Sequence, residues 1–159
     1  MKSRILLATL LAAASALAAE RWTSPDKFYS IAPPSGWNYR EDAPGGHRSF
    51  AWISPDGKAE IRISATYDLV RLQKNLPDLI LDAFFPDERG TTPMQKVNGT
   101  GWDGLQREYI NADESTRWLG VAARRDFTVV GLTMSAPASE FERFRPTFES
   151  VWHSLKLGE

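Results

Sequence analysis

The sequence contains no cysteine among its 159 residues. Disulfide bonds, thiol redox chemistry, a cysteine nucleophile and thiolate metal sites are therefore excluded. A small protein without such cross-links is stabilised by the burial of apolar side chains alone. The chain carries eight Phe, six Trp and four Tyr, and each buried aromatic side chain removes ~150–250 Å² of surface from water. We therefore expect a regular core rich in aromatic rings.

An excess of positive charge is also lacking. Lys and Arg total 19 against 20 Asp and Glu, which gives a formal net charge of −1. The basic residues are scattered, and Arg124 and Arg125 form the one pair of adjacent basic residues. Nucleic acids are recognised by basic stripes or patches, so neither nucleic acid nor an anionic membrane surface is expected as a partner.

Only one apolar run is long enough to be considered as a membrane-spanning helix or a signal peptide. It covers residues 5–19 and follows the positive charges of Lys2 and Arg4. It is shorter than the ~20 apolar residues that a membrane-spanning helix needs. It ends in a stretch of alanines before Glu20, and small residues in that place are typical of a signal-peptidase site. The pattern predicts a cleaved signal peptide over residues 1–19.

Cleavage would leave residues 20–159 as the mature chain, with a formal charge of −3. That length suits one domain, and no repeat, low-complexity tract or linker divides it. We expect a monomeric protein in the periplasm, or alternatively in the extracellular medium. No membrane insertion is expected after cleavage, and the absence of cysteine excludes a lipid anchor on a cleaved N-terminal Cys.

Alternating apolar and polar residues predict several strands. The clearest segment, residues 59–67, alternates strictly, which is typical of a strand with one face on a core and the other in water. Pro55, Asp56 and Gly57 form a turn before it, because Pro presets one turn dihedral and Gly accepts a positive φ. Further strands are predicted at residues 28–32, 37–40, 49–54, 94–98, 105–110, 117–123 and 127–134. The short connections between them favour antiparallel hairpins.

Two segments change to a helical period. Apolar residues recur at spacings of three and four over residues 69–85 and again over residues 141–155. Pro77 is expected in the first turn of the earlier helix, and Pro146 is expected to kink or restart the later one. Helices that present one apolar face to an antiparallel sheet define a layered α+β fold.

Three stretches resemble the PsbP-like superfamily, which also includes the Mog-type Ran-binding proteins and small exported bacterial proteins. They are residues 28–37 with their strand and Pro-Gly-Trp turn, the strand at residues 59–63, and the spacing of Phe148, Val151, Ser154 and Leu155. The resemblance implies an antiparallel sheet between helices, that is, an α/β/α sandwich. The photosystem branch of the superfamily acts as an accessory subunit and the Mog branch binds a small GTPase. The functional residues of neither branch map onto positions of this sequence.

His47 and Arg48 are candidate binding residues because they follow two glycines in a predicted loop, where a ligand can approach the backbone. The alternative for His47 is a solvent-facing residue at the end of a turn. His153 is expected to flank the apolar stripe of the last helix without a function.

Acidic pairs occur at residues 41–42, 87–88 and 113–114, and they could serve as paired carboxylates or as ligands of a hard metal. None has the ligand alternation of a calcium loop, and solvated turns are the simpler interpretation. A Ser-His-Asp hydrolase lacks support, because no Gly-x-Ser-x-Gly or Ser-x-x-Lys motif is present. No metal site and no cofactor are predicted.

Trp102 is the third candidate binding residue. It lies among Gly99, Gly101 and Gly104, and those glycines would let its ring project as an anchor for a partner, since Trp is enriched among interface hot spots. The alternative is a ring that folds back over the edge of the sheet.

Two functions remain open from the sequence. The first is an exported, non-enzymatic binding or accessory module for a protein partner or a small ligand. The second is a periplasmic hydrolase or other enzyme that uses His47 and acidic loop residues. A cleft with a perturbed titratable group would favour the enzyme, whereas an aromatic patch would favour the binding module.

Overall fold

The structure is a computed structural model that describes residues 20–42, 48–67, 81–82 and 84–158. The predicted signal peptide, His47 and most of the predicted helix at residues 69–85 lie outside these residues. The strands are β1 (Trp22–Thr23), β2 (Tyr29–Ile31), β3 (Asn38–Asp42), β4 (Ser49–Ile53), β5 (Glu60–Tyr67), β6 (Arg89–Gly90), β7 (Gln95–Gly99), β8 (Trp102–Ile110), β9 (Thr116–Arg125), β10 (Thr128–Pro137) and β11 (Lys156–Leu157). The helix α1 spans Phe141–His153.

Most of the strands form one eight-stranded antiparallel sheet. Its order is β3-β4-β5-β10-β9-β8-β6, with β7 also paired to β8. Strands β9 and β10 form its centre as a long hairpin, in which Arg125 pairs with Thr128. The turn between them places Asp126 at a φ of 52°, a conformation that Asp tolerates better than most residues. Every predicted strand is present, with ends shifted by a few residues.

A second, smaller sheet has the order β1-β2-β11 and is antiparallel throughout. It brings the segment that follows residue 20 beside the segment that follows α1. Neither outer strand was predicted, because two-residue strands in polar surroundings show no alternation that a sequence pattern can detect. This small sheet shapes both pockets described below.

The main core lies between α1 and the central strands. The buried residues of α1 are Phe141, Phe144, Phe148, Val151 and Trp152. They recur at helical spacing and confirm the predicted aromatic stripe, which packs with inward residues of the sheet such as Val121 and Leu132. The helix continues through Pro146, so the expected restart is wrong. Pro146 is exposed, and its missing backbone donor removes one hydrogen bond at the solvent side.

A smaller cluster lies on the other side of the sheet. Leu81 and Phe85 are buried there against Tyr109 and neighbouring residues, and the Phe85 and Tyr109 rings stack with centroids 4.0 Å apart. A Cβ built at Gly120 would lie 2.7 Å from the Phe85 ring. Glycine at this position therefore lets the segment that contains Phe85 approach the sheet closely.

The predicted antiparallel sheet with a helix packed on it is confirmed. The α/β/α sandwich is a more helical architecture than the structure shows, because the described residues contain one helix with defined ends and otherwise mostly strands. No helix among the described residues is long and apolar enough to cross a membrane.

Candidate binding site

An aromatic cleft opens between the small sheet and the β3 edge of the large sheet. It encloses about 460 Å³. Its lining residues are Glu20, Arg21, Trp22, Pro33, Pro34, Ser35, Gly36, Trp37, Tyr39 and Trp52. Four aromatic rings and two proline rings supply the apolar part of this surface, and Glu20, Arg21 and Ser35 supply polar groups. Ligand pockets commonly combine apolar side chains with a small number of polar groups that orient the ligand.

The rings of the cleft hold one another in fixed positions. The Trp22 ring lies 5.2 Å from the Trp52 ring at 80° and 4.7 Å from the Phe50 ring at 52°. Tyr39 lies 5.4 Å from Trp52. Trp52 and Phe50 are buried, whereas Tyr39 is 49% exposed. A preorganised aromatic base with one half-exposed ring on top can accept a ligand at little cost in side-chain entropy.

The strand register explains this arrangement. Tyr39 of β3 pairs with Trp52 of β4, and Glu41 pairs with Phe50. Residues paired across antiparallel strands project from the same face, so Tyr39 and Trp52 meet beside the small sheet. The predicted Pro-Gly-Trp turn supplies Trp37, with Gly36 at a φ of 77°. The Trp37 ring then meets the edge of Phe144 on α1 at 6.1 Å.

Tyr39 and Arg48 both interact electrostatically with Glu41. Partial burial raises the pKa of Tyr39, and the Glu41 carboxylate adds to that effect. The Arg48 guanidinium lies 2.6 Å from the Glu41 carboxylate and 5.7 Å from the centre of the Phe50 ring. Its pKa is raised, mainly by the hydrogen bond to Glu41. Arg48, predicted as a binding residue, thus borders the aromatic cluster; its role in binding stays a prediction.

Of the two alternatives for Trp102, the structure has the ring folded back over the edge of the sheet, and its role in binding stays a prediction. Trp102 is 6% exposed, and its indole nitrogen donates a hydrogen bond of 3.0 Å to the Leu155 carbonyl. A Cβ built at Gly99 would lie 2.4 Å from the ring, so the glycine gives the ring space to fold back over the β7–β8 hairpin. Gly101, at a φ of 80°, lies in the tight turn between β7 and β8, whereas Gly99 and Gly104 lie in the strands. A binding role for Trp102 would have to act through the core.

The other candidates occupy separate places. His47 lies outside the described residues. His153 is exposed and stacks on Trp152 with ring centres 3.7 Å apart. Asp113 accepts a hydrogen bond from the backbone N–H of Ser115, which lowers its pKa together with the Ser115 side chain. Across the described ranges, no group of three His, Asp or Glu side chains could hold a metal ion.

The sequence analysis missed the cleft because its residues are far apart in the chain. Trp22 lies in a segment of mostly polar residues, and Tyr39 belongs to an otherwise polar strand. The available signal was the density of aromatic residues at positions 22, 37, 39 and 52. These four aromatic residues come together on one surface only when β1 pairs with β2 and β3 pairs with β4.

No protein-family model matches the sequence, and no curated protein matches it. Solved structures are similar in fold. Cyanobacterial PsbP (CyanoP) of Synechocystis matches with a TM-score of 0.65 at 13% identity, over 91% of this chain and 96% of that one. LpqN of Mycobacterium tuberculosis, described as involved in cell envelope biogenesis, matches with a TM-score of 0.56 at 11% identity, over 88% and 90% of the two chains.

The Ran-binding protein Mog1p of Saccharomyces cerevisiae matches with a TM-score of 0.52 at 10% identity, over 87% of this chain and 94% of that one. The chain therefore has the fold shared by PsbP-like and Mog-type proteins, as the sequence resemblance predicted. Identities this low establish the fold and carry no function with it.

Proposed function

We propose that this protein is an exported, non-enzymatic binding or accessory module that holds a partner protein through the aromatic cleft. In this proposal residues 1–19 are a cleaved signal peptide, residues 20–159 are one domain, and the monomeric mature protein works in the periplasm. The observation that carries the proposal is the half-exposed Tyr39 ring above the buried rings of Trp52 and Phe50.

The chemistry of the cleft suits an extended protein segment. Trp and Tyr in preformed pockets are the residues most often found at binding hot spots, and aromatic grooves recognise extended, proline-containing segments through their rings. Strand β3 ends the order of the large sheet, so it lies beside the cleft as an edge strand. The fold neighbours add support, since one is named a Ran-binding protein.

A small apolar ligand is the second candidate. The cleft volume of about 460 Å³ falls within the roughly 300–1,000 Å³ that small-molecule sites enclose. The hydrolase alternative has less support. Glu41 and Asp42, two acidic residues it could use, form ion pairs with Arg48 and Arg62, and no described carboxylate lines the aromatic cleft except Glu20.

Photo-crosslinking tests the proposal. Tyr39→benzoylphenylalanine places a reactive ketone at the exposed ring of the cleft, and Phe127→benzoylphenylalanine places it at a matched ring that is 51% exposed and outside the cleft. The protein is expressed in its own cells and irradiated there. We expect one discrete protein adduct from position 39 and none from position 127.

The affinity of the crosslinked partner for purified protein gives the second measurement. Tyr39→Ala is expected to weaken binding about thirtyfold or more, since hot-spot rings contribute about 2 kcal/mol or more, while Phe127→Ala leaves it unchanged. An adduct of a few hundred daltons at position 39 would support the small ligand instead. Equal adducts at both positions, or none, would contradict a role for the cleft.

A further inference from the structure

A second pocket gathers basic side chains that pair with no carboxylate of the described residues. Every arginine of the described residues except Arg21 lies within 4.0 Å of a carboxylate. Arg21 lines this pocket together with Lys27 and Lys156, and neither lysine has an ion pair within the described part of the chain. The pocket encloses about 270 Å³, and none of its lining residues in the described ranges is acidic.

The small sheet explains how these residues converge. Thr23 of β1 and Lys156 of β11 both pair with Ser30 of β2, so the three side chains form one row. Alternate residues of the same strands, such as Tyr29 and Leu157, are buried. Because side chains alternate between the faces of a strand, the row projects outward, and two hydroxyls lie between the cations.

Arg21 is fixed in place. Its Nη1 donates to Ser30 Oγ and its Nη2 donates to the Ser154 carbonyl, both at 2.9 Å. A guanidinium has five N–H donors, so three remain for a ligand. Because the acceptors of Arg21 are neutral, its positive charge stays available to an anionic ligand. The charges of the other described arginines are balanced by nearby carboxylates.

Lys27 reaches the pocket from the turn between β1 and β2. Its backbone has a φ of 60°, a left-handed conformation that is uncommon for residues other than glycine. Such conformations are concentrated at functional sites. The nearby Asp26 carboxylate accepts hydrogen bonds from Ser24 Oγ at 2.5 Å and from the Phe28 backbone N–H at 3.2 Å, and it is not among the lining residues.

We infer that this pocket binds a phosphoryl group, either as free phosphate or as a small phosphomonoester. Three like charges around one pocket repel one another unless an anion is present between them. A multivalent oxyanion can accept hydrogen bonds from a guanidinium, two ammonium groups and two hydroxyls at once, and charge-assisted bonds of this kind are the strong ones. The pocket is distinct from the aromatic cleft, although Arg21 lines both.

Calorimetric titration with inorganic phosphate, at constant ionic strength, tests the inference on the full chain. Lys156→Gln removes one cation of the pocket, and Lys96→Gln removes an exposed lysine of β7 that has no ion pair among the described residues and lies outside the pocket. We expect saturable phosphate binding that Lys156→Gln weakens about tenfold, the equivalent of one charge-assisted hydrogen bond, and that Lys96→Gln leaves unchanged.

Arg21→Gln is expected to weaken binding further, provided that its thermal unfolding temperature stays at the wild-type value; if it unfolds, Lys156→Gln decides. Titration with vesicles containing phosphatidic acid distinguishes the source: binding that free phosphate displaces would assign a lipid headgroup to the same pocket. Absence of saturable binding to both probes, or an equal loss in the two lysine variants, would overturn the inference.

Discussion

The absence of a side chain at Gly99 allows the ring of Trp102 to be buried. The ring lies where a Cβ of residue 99 would be, and this close approach buries an indole that glycine-rich surroundings would otherwise leave exposed. The indole N–H then reaches the Leu155 carbonyl behind α1. A residue that looks like a mobile anchor in the sequence is therefore a contact between a hairpin and the end of the helix.

Trp102→Ala is expected to lower the free energy of unfolding by about 3–5 kcal/mol, the usual cost of deleting a large buried ring. Trp102→Phe keeps most of the packing and removes the hydrogen bond, so a loss of about 1 kcal/mol is expected. Urea unfolding measures both. If Trp102→Ala has the same urea midpoint as wild type, Trp102 does not stabilise the core, and an exposed binding role would be favoured instead.

Glu142 and Asp56 determine how acid affects the fold. A hydrogen bond from Arg145 lowers the pKa of Glu142 to about 2, and the Ser54 hydroxyl is the main cause that lowers the pKa of Asp56 to about 2. Both pKa values lie below those of the unfolded chain, so each carboxylate stabilises the fold at higher pH. That stabilisation is lost as the pH falls from about 4.5 towards 2.

Thermal unfolding followed between pH 7 and pH 2 checks this dependence. The unfolding temperature of wild type should fall below about pH 4.5. Glu142→Gln should start lower at pH 7 and then lose less on acidification. Glu149→Gln is the matched control, because Glu149 is exposed on the same helix and has no ion pair in the described ranges, and it should follow wild type. Parallel curves for all three proteins would contradict the assignment.

At the level of elements, Glu108 fastens α1 to the sheet. Its side chain on β8 is 12% exposed and lies 2.6 Å from Arg117 of β9 and 2.5 Å from Arg145 of α1. The two guanidinium groups also lie over the Phe141 ring, at 4.7 and 5.1 Å from its centre. One carboxylate therefore holds two cations that cover an otherwise apolar contact.

Glu108→Gln is expected to destabilise the protein by about 2 kcal/mol, since hydrogen bonds to charged groups are the costly ones to lose. Glu114→Gln is the comparison on an exposed pair, where Glu114 and Arg89 are 65% and 70% exposed. Exposed ion pairs contribute about 0–1 kcal/mol, so its effect should be small. Chemical denaturation measures both variants, and equal losses would show that Glu108 has no special role.

Local patterns determined how well each element could be predicted. The strict alternation in β5 and the aromatic stripe of α1 are strong signals, because each pattern repeats its own period at least twice. β1 and β11 have two residues each, too few for any period to show. The helix continues through Pro146 because the packing of α1 on the core outweighs the tendency of proline to end a helix. Four buried rings and one buried aliphatic side chain of α1 face the core, while Pro146 faces solvent.

At the level of the whole molecule, the antiparallel sheet and the helix packed on it followed from the sequence, whereas the sandwich was too helical and the small sheet, the cleft and the basic pocket were missed. An antiparallel sheet with an apolar helix on it is encoded by neighbouring residues. The aromatic cleft and the basic pocket each combine residues from both sides of β2, which only the folded chain brings together. The glycine-rich loop pointed to Trp102, which is buried, whereas the half-exposed ring of the aromatic cleft is Tyr39, in a strand of otherwise polar residues.

The small sheet also has a consequence for the timing of folding. The Ala32 backbone N–H donates to Ser154 Oγ across 122 residues of chain, and β2 receives its second neighbour only when β11 arrives. Closing so long a loop carries an entropy cost that local pairing does not. We therefore expect the basic pocket to form late in folding, and a chain that ends before Lys156 lacks one of the three cations that line it.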